Sequence, residues 1–411
     1  MFKAYKFRLY PNEEQQLLLE KHIGSCRFVW NHFLDSRNKR YVETGKGMSY
    51  KDASVLLPAL KEEREWLNEV NSQSLQQELM HLDSAFHGFF RKVSGYPSFR
   101  KKRNGGSFTV PQHFAIKDNH LTIPKFKTPL RLFMHRNIEG EMRSLTISKT
   151  PSGKYYASIS AETGKKIPGP VRIEAFTSIG IDVGIKVFLT TSDGLQIDNP
   201  KNLKKSEKKL ALLQKRLSRK QKGSRNRNKA RVKVAKAHEH IANQRMDFHN
   251  KVSDAMLRAY DTVITEDLNV SGMMKNHHLA RSIADAGWSS FMAMLKTKAL
   301  QRGKNIIEIG RFDPSSRMCS HCGYAYKLKL GERKWICPQC NTAHDRKWNA
   351  AKKHKAVRSH KDRNTHGQWG INACGQEYRY PEPSRKGGNR AGTLAETGRP
   401  RSLVLGGCHL F

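Results

Sequence analysis

"FTSIGIDVGIKVFLTTSDG", residues 176–194, is an apolar segment that carries one acidic residue in its first half, Asp182. The pattern predicts a buried strand, a tight turn at Gly184 and a second strand. A carboxylate left uncompensated inside such a strand costs on the order of several kcal/mol, so Asp182 is expected to face a metal ion or a polar pocket. The segment therefore predicts a mixed α/β half of the chain, built around a strand that carries a functional acid.

A second acid has the same kind of setting in "YDTVITEDLNV", residues 260–270, where Glu266 ends an apolar run. Taken singly, Asp182 or Glu266 fits equally well as a strand-end acid that caps a helix. Two-metal hydrolysis of a phosphodiester needs several carboxylates that converge from chain segments distant in sequence. Together the two acids predict a catalytic magnesium site.

Four clustered cysteines predict a structural zinc ion. Cys319-x-x-Cys322 and Cys337-x-x-Cys340 are separated by 14 residues. This spacing lets two tight turns bring four thiolates to one tetrahedral zinc ion. Because the protein supplies all four ligands, the metal has no open position for catalysis, and its binding would fold a ribbon too small to fold alone.

The remaining cysteines, Cys26, Cys374 and Cys408, form no pattern. So few scattered cysteines do not make a disulfide framework, which indicates a reducing compartment. His321 and His344 lie beside the cysteine pairs and are interpreted as surface or strand residues rather than ligands.

The charge of the chain points to a polyanionic partner. Its 411 residues contain 75 Lys plus Arg against 36 Asp plus Glu, a formal charge of +39. Nucleic acid is the default partner, because every phosphate that is neutralised releases counterions. The sequence contains no apolar run near the roughly 20 residues of a membrane span and begins without an apolar signal region, so we expect a cytoplasmic, nucleoid-associated protein without membrane contact. The residues predicted to contact nucleic acid are Tyr5, Lys6, Arg8, Arg27, Arg100, Lys101, Lys102 and Arg103.

Hydrophobic periodicity divides the chain into a multidomain α+β and α/β protein. The first part is a small β-barrel split by a helical insertion that begins near Asn12, a candidate N-cap. The second part is the mixed α/β half, with the cysteine ribbon inserted near its end. The predicted boundaries are a barrel at 1–12 and 96–175, helices at 13–95, the α/β domain at 176–312 and 345–375, the zinc ribbon at 313–344 and a partly disordered tail at 376–411.

The order of the motifs "GIDVG", "ITEDL", "CSHCG", "CPQC" and "HDRKWNAA" resembles that of the TnpB family, the OrfB-type transposon-encoded nucleases ancestral to compact type V CRISPR effectors. The segments "YKFRLYPNEEQ", "CRFVWNHFL", "YPSFRKKR" and "SIADAGWSSF" are similar to the same family, so the resemblance runs from residue 2 to about residue 375.

This resemblance implies an RNA-guided DNA endonuclease. Its guide RNA would come from the transposon end, and its target would be double-stranded DNA next to a short adjacent motif. The barrel would be a wedge domain, and the α/β half a RuvC-type ribonuclease-H fold with a zinc ribbon and catalytic Mg²⁺. Aromatic residues such as Tyr5, Trp30 and Phe99 could stack on unpaired bases, although such rings more often belong to a core.

The chain departs from the family at Lys347, where the usual motif His-Asp-Arg-Asp-x-Asn-Ala-Ala has its second Asp as the third metal ligand. An ammonium group cannot bind magnesium and would compete with it as a cation. In one interpretation a relocated carboxylate, Asp345 or Glu377, replaces the missing ligand, although Asp345 could serve only if it precedes the helix that follows. In a second, two carboxylates suffice for weak or single-metal cutting. In a third, the protein is a nuclease-inactive, RNA-guided DNA-binding repressor.

Other functional classes are less favoured. The transposon context suggests a DNA-strand transferase, which needs a tyrosine nucleophile beside a metal-binding histidine pair. A zinc-ribbon RNA-binding protein without a DNA target is the simplest alternative, and guide-dependent retention of double-stranded DNA would argue against it. We favour the active nuclease with a relocated ligand, since a site without chemistry has no reason to retain Asp182 and Glu266.

Overall fold

The structure is a computed structural model that describes residues 1–102, 105–310, 317–326, 328, 332–361, 369–371 and 377–379, with side chains described as far as residue 356. The chain divides into two compact units. The first comprises Met1–Lys166 with Lys215–Lys236, and the second comprises Ile167–Gln214 with Ala237–Phe411.

The first unit contains one antiparallel seven-stranded sheet with the order β2-β6-β7-β1-β5-β4-β3. The strands are β1 Phe2–Tyr10, β2 Gly106–Val110, β3 Ala115–Lys117, β4 His120–Thr122, β5 Leu130–Phe133, β6 Glu141–Lys149 and β7 Tyr155–Glu162. Strand β1 lies between β7 and β5, so the first strand of the chain pairs with strands far downstream. In the described residues β2 and β3 are the two edges of this half-barrel sheet.

Three helices lie between β1 and β2, where the sequence predicts a helical insertion. They are α1 Glu13–Thr44, α2 Tyr50–Glu63 and α3 Ser72–Phe90, with a short 3₁₀ turn at Glu65–Glu69. The predicted cap at Asn12 is confirmed, because its side chain accepts from the Gln15 N–H while the Gln15 side chain accepts from the Asn12 N–H. This reciprocal pair satisfies backbone donors that the first turn leaves open. The helix ends at Gly45, which has φ 68°.

The second unit contains a five-stranded sheet with the order β10-β9-β8-β11-β12. Strands β8 and β9 pair antiparallel, whereas β11 runs parallel to both β8 and β12. The strands are β8 Ser178–Val183, β9 Val187–Thr191, β10 Gln196–Asp198, β11 Thr262–Glu266 and β12 Asn305–Ile309. The helices of this unit are α6 Val270–Met273, α7 His277–Ala286, α8 Trp288–Arg302 and α9 Arg346–Lys361. Helices α4 Asn202–Ser218 and α5 Arg225–Ala259 each have residues in both units. Short strands β13 Lys334–Ile336 and β14 Ala343–Asp345 form one hairpin, and β15 Trp369–Ile371 and β16 Glu377–Arg379 form another.

Helix α9 packs directly on strand β8 because Gly180 has no side chain. A Cβ atom at Gly180 would lie 2.0 Å from the carbonyl oxygen of Ala351 and 2.9 Å from the backbone nitrogen of Lys355. The contact is reinforced by His354, whose Nδ1 lies 2.9 Å from the carbonyl oxygen of Ile181. The start of α9 is thereby placed beside Asp182.

Across the described part of the chain, none of the helices is long and apolar enough to cross a membrane.

Candidate carboxylate site and four-cysteine cluster

Asp182 and Glu266 lie on neighbouring parallel strands. The register of β8 and β11 pairs Gly180 with Ile264, so two residues further along each strand Asp182 and Glu266 reach the same level and the same face. Burial raises the pKa of the Asp182 carboxyl, against the opposing effect of Lys347. Burial also raises the pKa of Glu266, and the negative charge of Asp182 raises it further. Each carboxylate is thus costly to keep ionised beside the other, and a cation between them would relieve that cost.

Lys347 supplies one positive charge at this pair. Its Nζ lies 3.3 Å from Oδ2 of Asp182 and 3.4 Å from the carbonyl oxygen of Val187. The side chain passes over Gly184, where a Cβ atom would lie 1.6 Å from Nζ. The ammonium group therefore lies in the turn between β8 and β9, in direct contact with the acid that is predicted from the sequence to bind a metal ion.

The two candidates for a relocated carboxylate have different outcomes. Asp345 ends β14 and precedes α9, as the sequence argument required. Its Oδ1 accepts from the backbone N–H groups of Lys347, at 3.0 Å, and Trp348, at 3.2 Å, so this oxygen caps the N-terminus of α9. Lys347 of α9 contacts Asp182, and Arg346 and His354 of the same helix also act to lower the pKa of that carboxyl. The side chain of Glu377 lies outside the described residues.

The four cysteines converge as their spacing predicts. Their sulfur atoms all lie within 4.8 Å of one another. Cys319 and Cys340 are 3.6 Å apart, as are Cys322 and Cys337. Sulfur atoms around a tetrahedral zinc ion are expected about 3.8 Å apart, given a Zn–S distance of about 2.3 Å. The cluster therefore fits a zinc ion bound by four thiolates.

His344 is a buried strand residue beside this cluster. Its Nε2 lies 3.0 Å from the sulfur of Cys319, and its ring centre lies 4.6 Å from that of Trp335, which stacks on Tyr326. The interpretation of His344 as a strand residue is consistent with its position in β14. An Nε2–H group at this distance would donate to the Cys319 thiolate and orient it as a metal ligand.

Asn349 joins helix α9 to the first cysteine turn. Its Nδ2 donates to the carbonyl oxygen of Met318 at 2.7 Å, and its Oδ1 accepts from the backbone N–H of Ser320 at 2.8 Å. The side chain is buried. No local sequence pattern indicates this role for Asn349, although the residue stands in the motif "HDRKWNAA".

We expect Asn349→Ala to destabilise the second unit by about 1–3 kcal/mol, because the change removes both hydrogen bonds that its buried side chain makes to the partly buried backbone of Met318 and Ser320. Thermal unfolding monitored together with zinc content measures this effect. The control is Asn250→Ala, which removes an exposed side-chain hydrogen bond to the Met246 carbonyl. A loss no larger than that of the control would show that Asn349 does not hold the ribbon.

The residues predicted to bind nucleic acid fall into different environments. Tyr5 is buried and its hydroxyl oxygen accepts from the Glu139 N–H, so its ring lies in the core, the position that such rings more often have. Trp30 is also buried, whereas Phe99 is half exposed. Lys6 lies over the Tyr156 ring.

Arg8 lies beside Lys6 and forms a cation–aromatic group with it, because the Arg8 guanidinium lies over the rings of Tyr10 and Tyr156. Arg27 is half-buried. Arg103 lies outside the described residues. Strand alternation explains the difference from Tyr5, because Lys6 and Arg8 alternate with the buried positions along β1.

The basic loop before β2 is fixed to the helical insertion through Arg100. Its guanidinium pairs with the buried carboxylate of Glu78 and lies 3.7 Å from the ring centre of Trp30. Asn31 exchanges hydrogen bonds with the backbone of Arg100 at 2.8 and 3.1 Å. Arg100 thus anchors the loop, and the adjacent Lys101 and Lys102 remain exposed.

A histidine pair separated by one residue, His238 and His240, lies within helix α5. Residues two positions apart on a helix point about 200° away from each other. These side chains therefore cannot bind one metal ion together from a regular helix.

Three family profiles match separate parts of the chain. Residues 163–277 match the OrfB_IS605 profile, described as a probable transposase. Residues 288–354 match the TNB domain of Cas12f1-like proteins. Residues 1–46 match a helix-turn-helix profile of the OrfB_IS605 group, and in the structure they contain strand β1 and the single long helix α1.

Two relatives are similar over most of their length. A protein of Streptomyces pristinaespiralis is 38% identical over 357 residues, covering 85% of this chain and 88% of the relative. A protein of Escherichia coli K12 is 32% identical over 355 residues, covering 82% and 87%. Both are named "Putative RNA-guided DNA endonuclease", the second with the suffix InsQ. Among solved structures, Cas12f1 in a complex with sgRNA and target DNA has a similar fold, with a TM-score of 0.53 and 15% identity over 86% of this chain and 98% of that chain.

Proposed function

Since this chain belongs to the TnpB family of transposon-encoded proteins, we propose that it is an RNA-guided DNA endonuclease. The guide RNA derives from the transposon end, and the target is double-stranded DNA beside a short adjacent motif. The full-length similarity to two relatives that carry this name supports the proposal. The charge of +39 suits a protein that binds a structured RNA and two DNA strands.

The nuclease domain is of the RuvC type, with a ribonuclease-H fold. Support comes from the sheet of the second unit, whose strands, numbered along the chain within that unit, lie in the order 3-2-1-4-5. The acids stand on the first and fourth of these strands, which are parallel neighbours at the centre of the sheet. The observation that carries the proposal is this convergence of Asp182 and Glu266, two carboxylates whose pKa values are raised by burial.

Asp182 and Glu266 are the residues that would hold Mg²⁺. The donor set fits a hard cation, because two adjacent carboxylates in a partly buried site are stabilised by positive charge. When bound, the ion supplies Lewis-acid stabilisation of the charge that develops on the scissile phosphate. The protein orients the carboxylates through the pairing of β8 with β11 and through the packing of α9 on β8.

Nucleic acid binds the exposed basic residues that the first unit displays. Lys6 and Arg8, with the rings of Tyr10 and Tyr156, form a cation–aromatic group suited to phosphates and unpaired bases. Lys101 and Lys102 extend from the loop that Arg100 anchors.

One observation favours a second candidate function, guide-dependent DNA binding without cutting. Lys347 pairs with Asp182 at 3.3 Å, where the family usually has a third carboxylate. Repression by occupancy needs the guide, the basic surfaces and the fold, but not the metal site.

A test uses the purified protein–RNA complex with Mg²⁺ and a duplex that matches the guide next to its adjacent motif. We expect guide-dependent binding and strand cleavage, with a mismatched duplex as the control. Tight binding without cleavage would establish the second candidate, and guide-independent retention of DNA would contradict both.

A further inference from the structure

The ammonium group of Lys347 occupies a position whose neighbours are suited to a cation. Its Nζ is in contact with residues on both sides of the β8–β9 turn, Asp182 before it and Val187 after it. The turn is closed by the Gly184 N–H, which donates to the Phe188 carbonyl at 2.9 Å. Gly184 itself leaves the space that Nζ occupies.

This position has the ligand chemistry of a metal site. Carboxylate and carbonyl oxygens are the ligands that hard divalent ions prefer. Here one oxygen of each kind, Oδ2 of Asp182 and the carbonyl of Val187, faces the same ammonium group. The side chain of Lys347 is 22% exposed and that of Asp182 is 16% exposed, so solvent screens the pair only partly.

The charge balance limits how many further cations the site can hold. Asp182 and Glu266 provide two negative charges, and Lys347 neutralises one of them. A single divalent ion then shares the remaining charge of this pair, whereas each of two divalent ions would be repelled both by the other ion and by the ammonium group.

We propose that the ammonium group of Lys347 replaces one of two divalent ions, so that the carboxylate site of this chain takes a single ion. The proposal rests on the proposed nuclease site at Asp182 and Glu266. In it Lys347 is a positioning residue that fixes one oxygen of Asp182 and leaves Glu266 and the other oxygen of Asp182 to the ion.

The test counts bound Mn²⁺ by electron paramagnetic resonance in the zinc-loaded full-length protein, without nucleic acid and without a cleavage assay. We subtract the ions bound by the double variant Asp182→Asn/Glu266→Gln, which lacks the site. The wild type is expected to bind one ion at the acids, and Lys347→Asp, which supplies a third carboxylate in place of the ammonium, is expected to bind two.

The outcomes separate this proposal from the proposed function. Two ions in the wild type would overturn the proposal and leave the endonuclease standing, because another carboxylate would then complete the site. No ion in the wild type would overturn the proposal and leave the proposed function to the cleavage test, because the scissile phosphate can supply further ligands to Mg²⁺. A single ion in Lys347→Asp would show that the ammonium group does not exclude the second ion.

A second variant keeps the test informative if Lys347→Asp folds poorly. Lys347→Met removes the charge and nearly preserves the length, so Mn²⁺ should bind about tenfold more tightly and raise the melting temperature more than in the wild type. The matched control is Lys355→Met, on the same helix, whose ammonium lies 4.0 Å from Asp193. Equal effects of Mn²⁺ on the wild type, Lys347→Met and Lys355→Met would overturn the proposal.

Discussion

Asp182→Asn is expected to lower the rate of guided DNA cleavage by at least about 10³-fold while guide-dependent DNA binding persists. The change removes the carboxylate charge that would hold the metal ion but preserves the shape of the side chain. It also retains an oxygen that can accept from Lys347, so the β8–β9 turn should stay folded. Single-turnover cleavage and equilibrium binding, both measured on the same protein–RNA complex, separate the two effects.

Asp193→Asn is the matched control for this substitution. Asp193 also lies near a lysine of α9, and it accepts from the hydroxyl of Tyr260, but it stands after β9 rather than at the carboxylate pair. We expect its cleavage rate to stay within about threefold of the wild type. Equal losses in the two variants would mean that cutting does not depend on the proposed site.

Cys337→Ser is expected to abolish zinc binding and to unfold the ribbon. Structural zinc sites of this type contribute about 10 kcal/mol or more of apparent binding free energy, and a hairpin as short as β13–β14 has little other core. In the described residues, the core of the ribbon centres on Cys319, Cys337 and Trp335. Removing one thiolate therefore removes a metal ligand and a part of the packing together.

Zinc content per chain and limited proteolysis of the ribbon measure the outcome. The control is Cys26→Ala in the first unit, where the thiol is buried against the carbonyl of Ser74 and should retain full zinc content. Retention of one zinc per chain in Cys337→Ser would show that the fourth ligand is another group, with His344 the nearest alternative.

The parts of the fold that sequence predicted are those that a short stretch of chain determines. Buried acids in apolar strands, paired cysteines at fixed spacing and the N-cap at Asn12 each depend on residues close together in the sequence. The helix expected to follow Asp345 is confirmed as α9. In each of these elements, residues that are neighbours in the sequence favour the same conformation as the complete fold. A local pattern is therefore enough to predict them.

The misassigned or missed residues depend on partners far away in the chain. Arg100 was assigned to nucleic acid, yet it also pairs with Glu78 and packs on Trp30, which no local pattern reveals. The link from Asn349 to the cysteine turn spans 29 and 31 residues. Tyr5 is a different case, because the alternation along β1 already indicated that it shares the buried face with Phe7 and Leu9.

The departure at Lys347 is visible in the sequence, but the contacts of its ammonium group are not. The sequence has an ammonium group, that of Lys347, where a metal ligand is usual in the family. It could not show that the missing Cβ of Gly184 opens a route to Asp182, or that one oxygen of Asp345 is used to cap α9.

The first residues of α9 also have a mechanical consequence. Lys347, which pairs with Asp182, and Asn349, which holds the first cysteine turn, are only about 3 Å apart along the helix axis. A helix does not bend appreciably over so short a distance, so this part of α9 acts as a rigid link. A force that displaces the ribbon is transmitted to the ammonium group, and from there to the acid on β8.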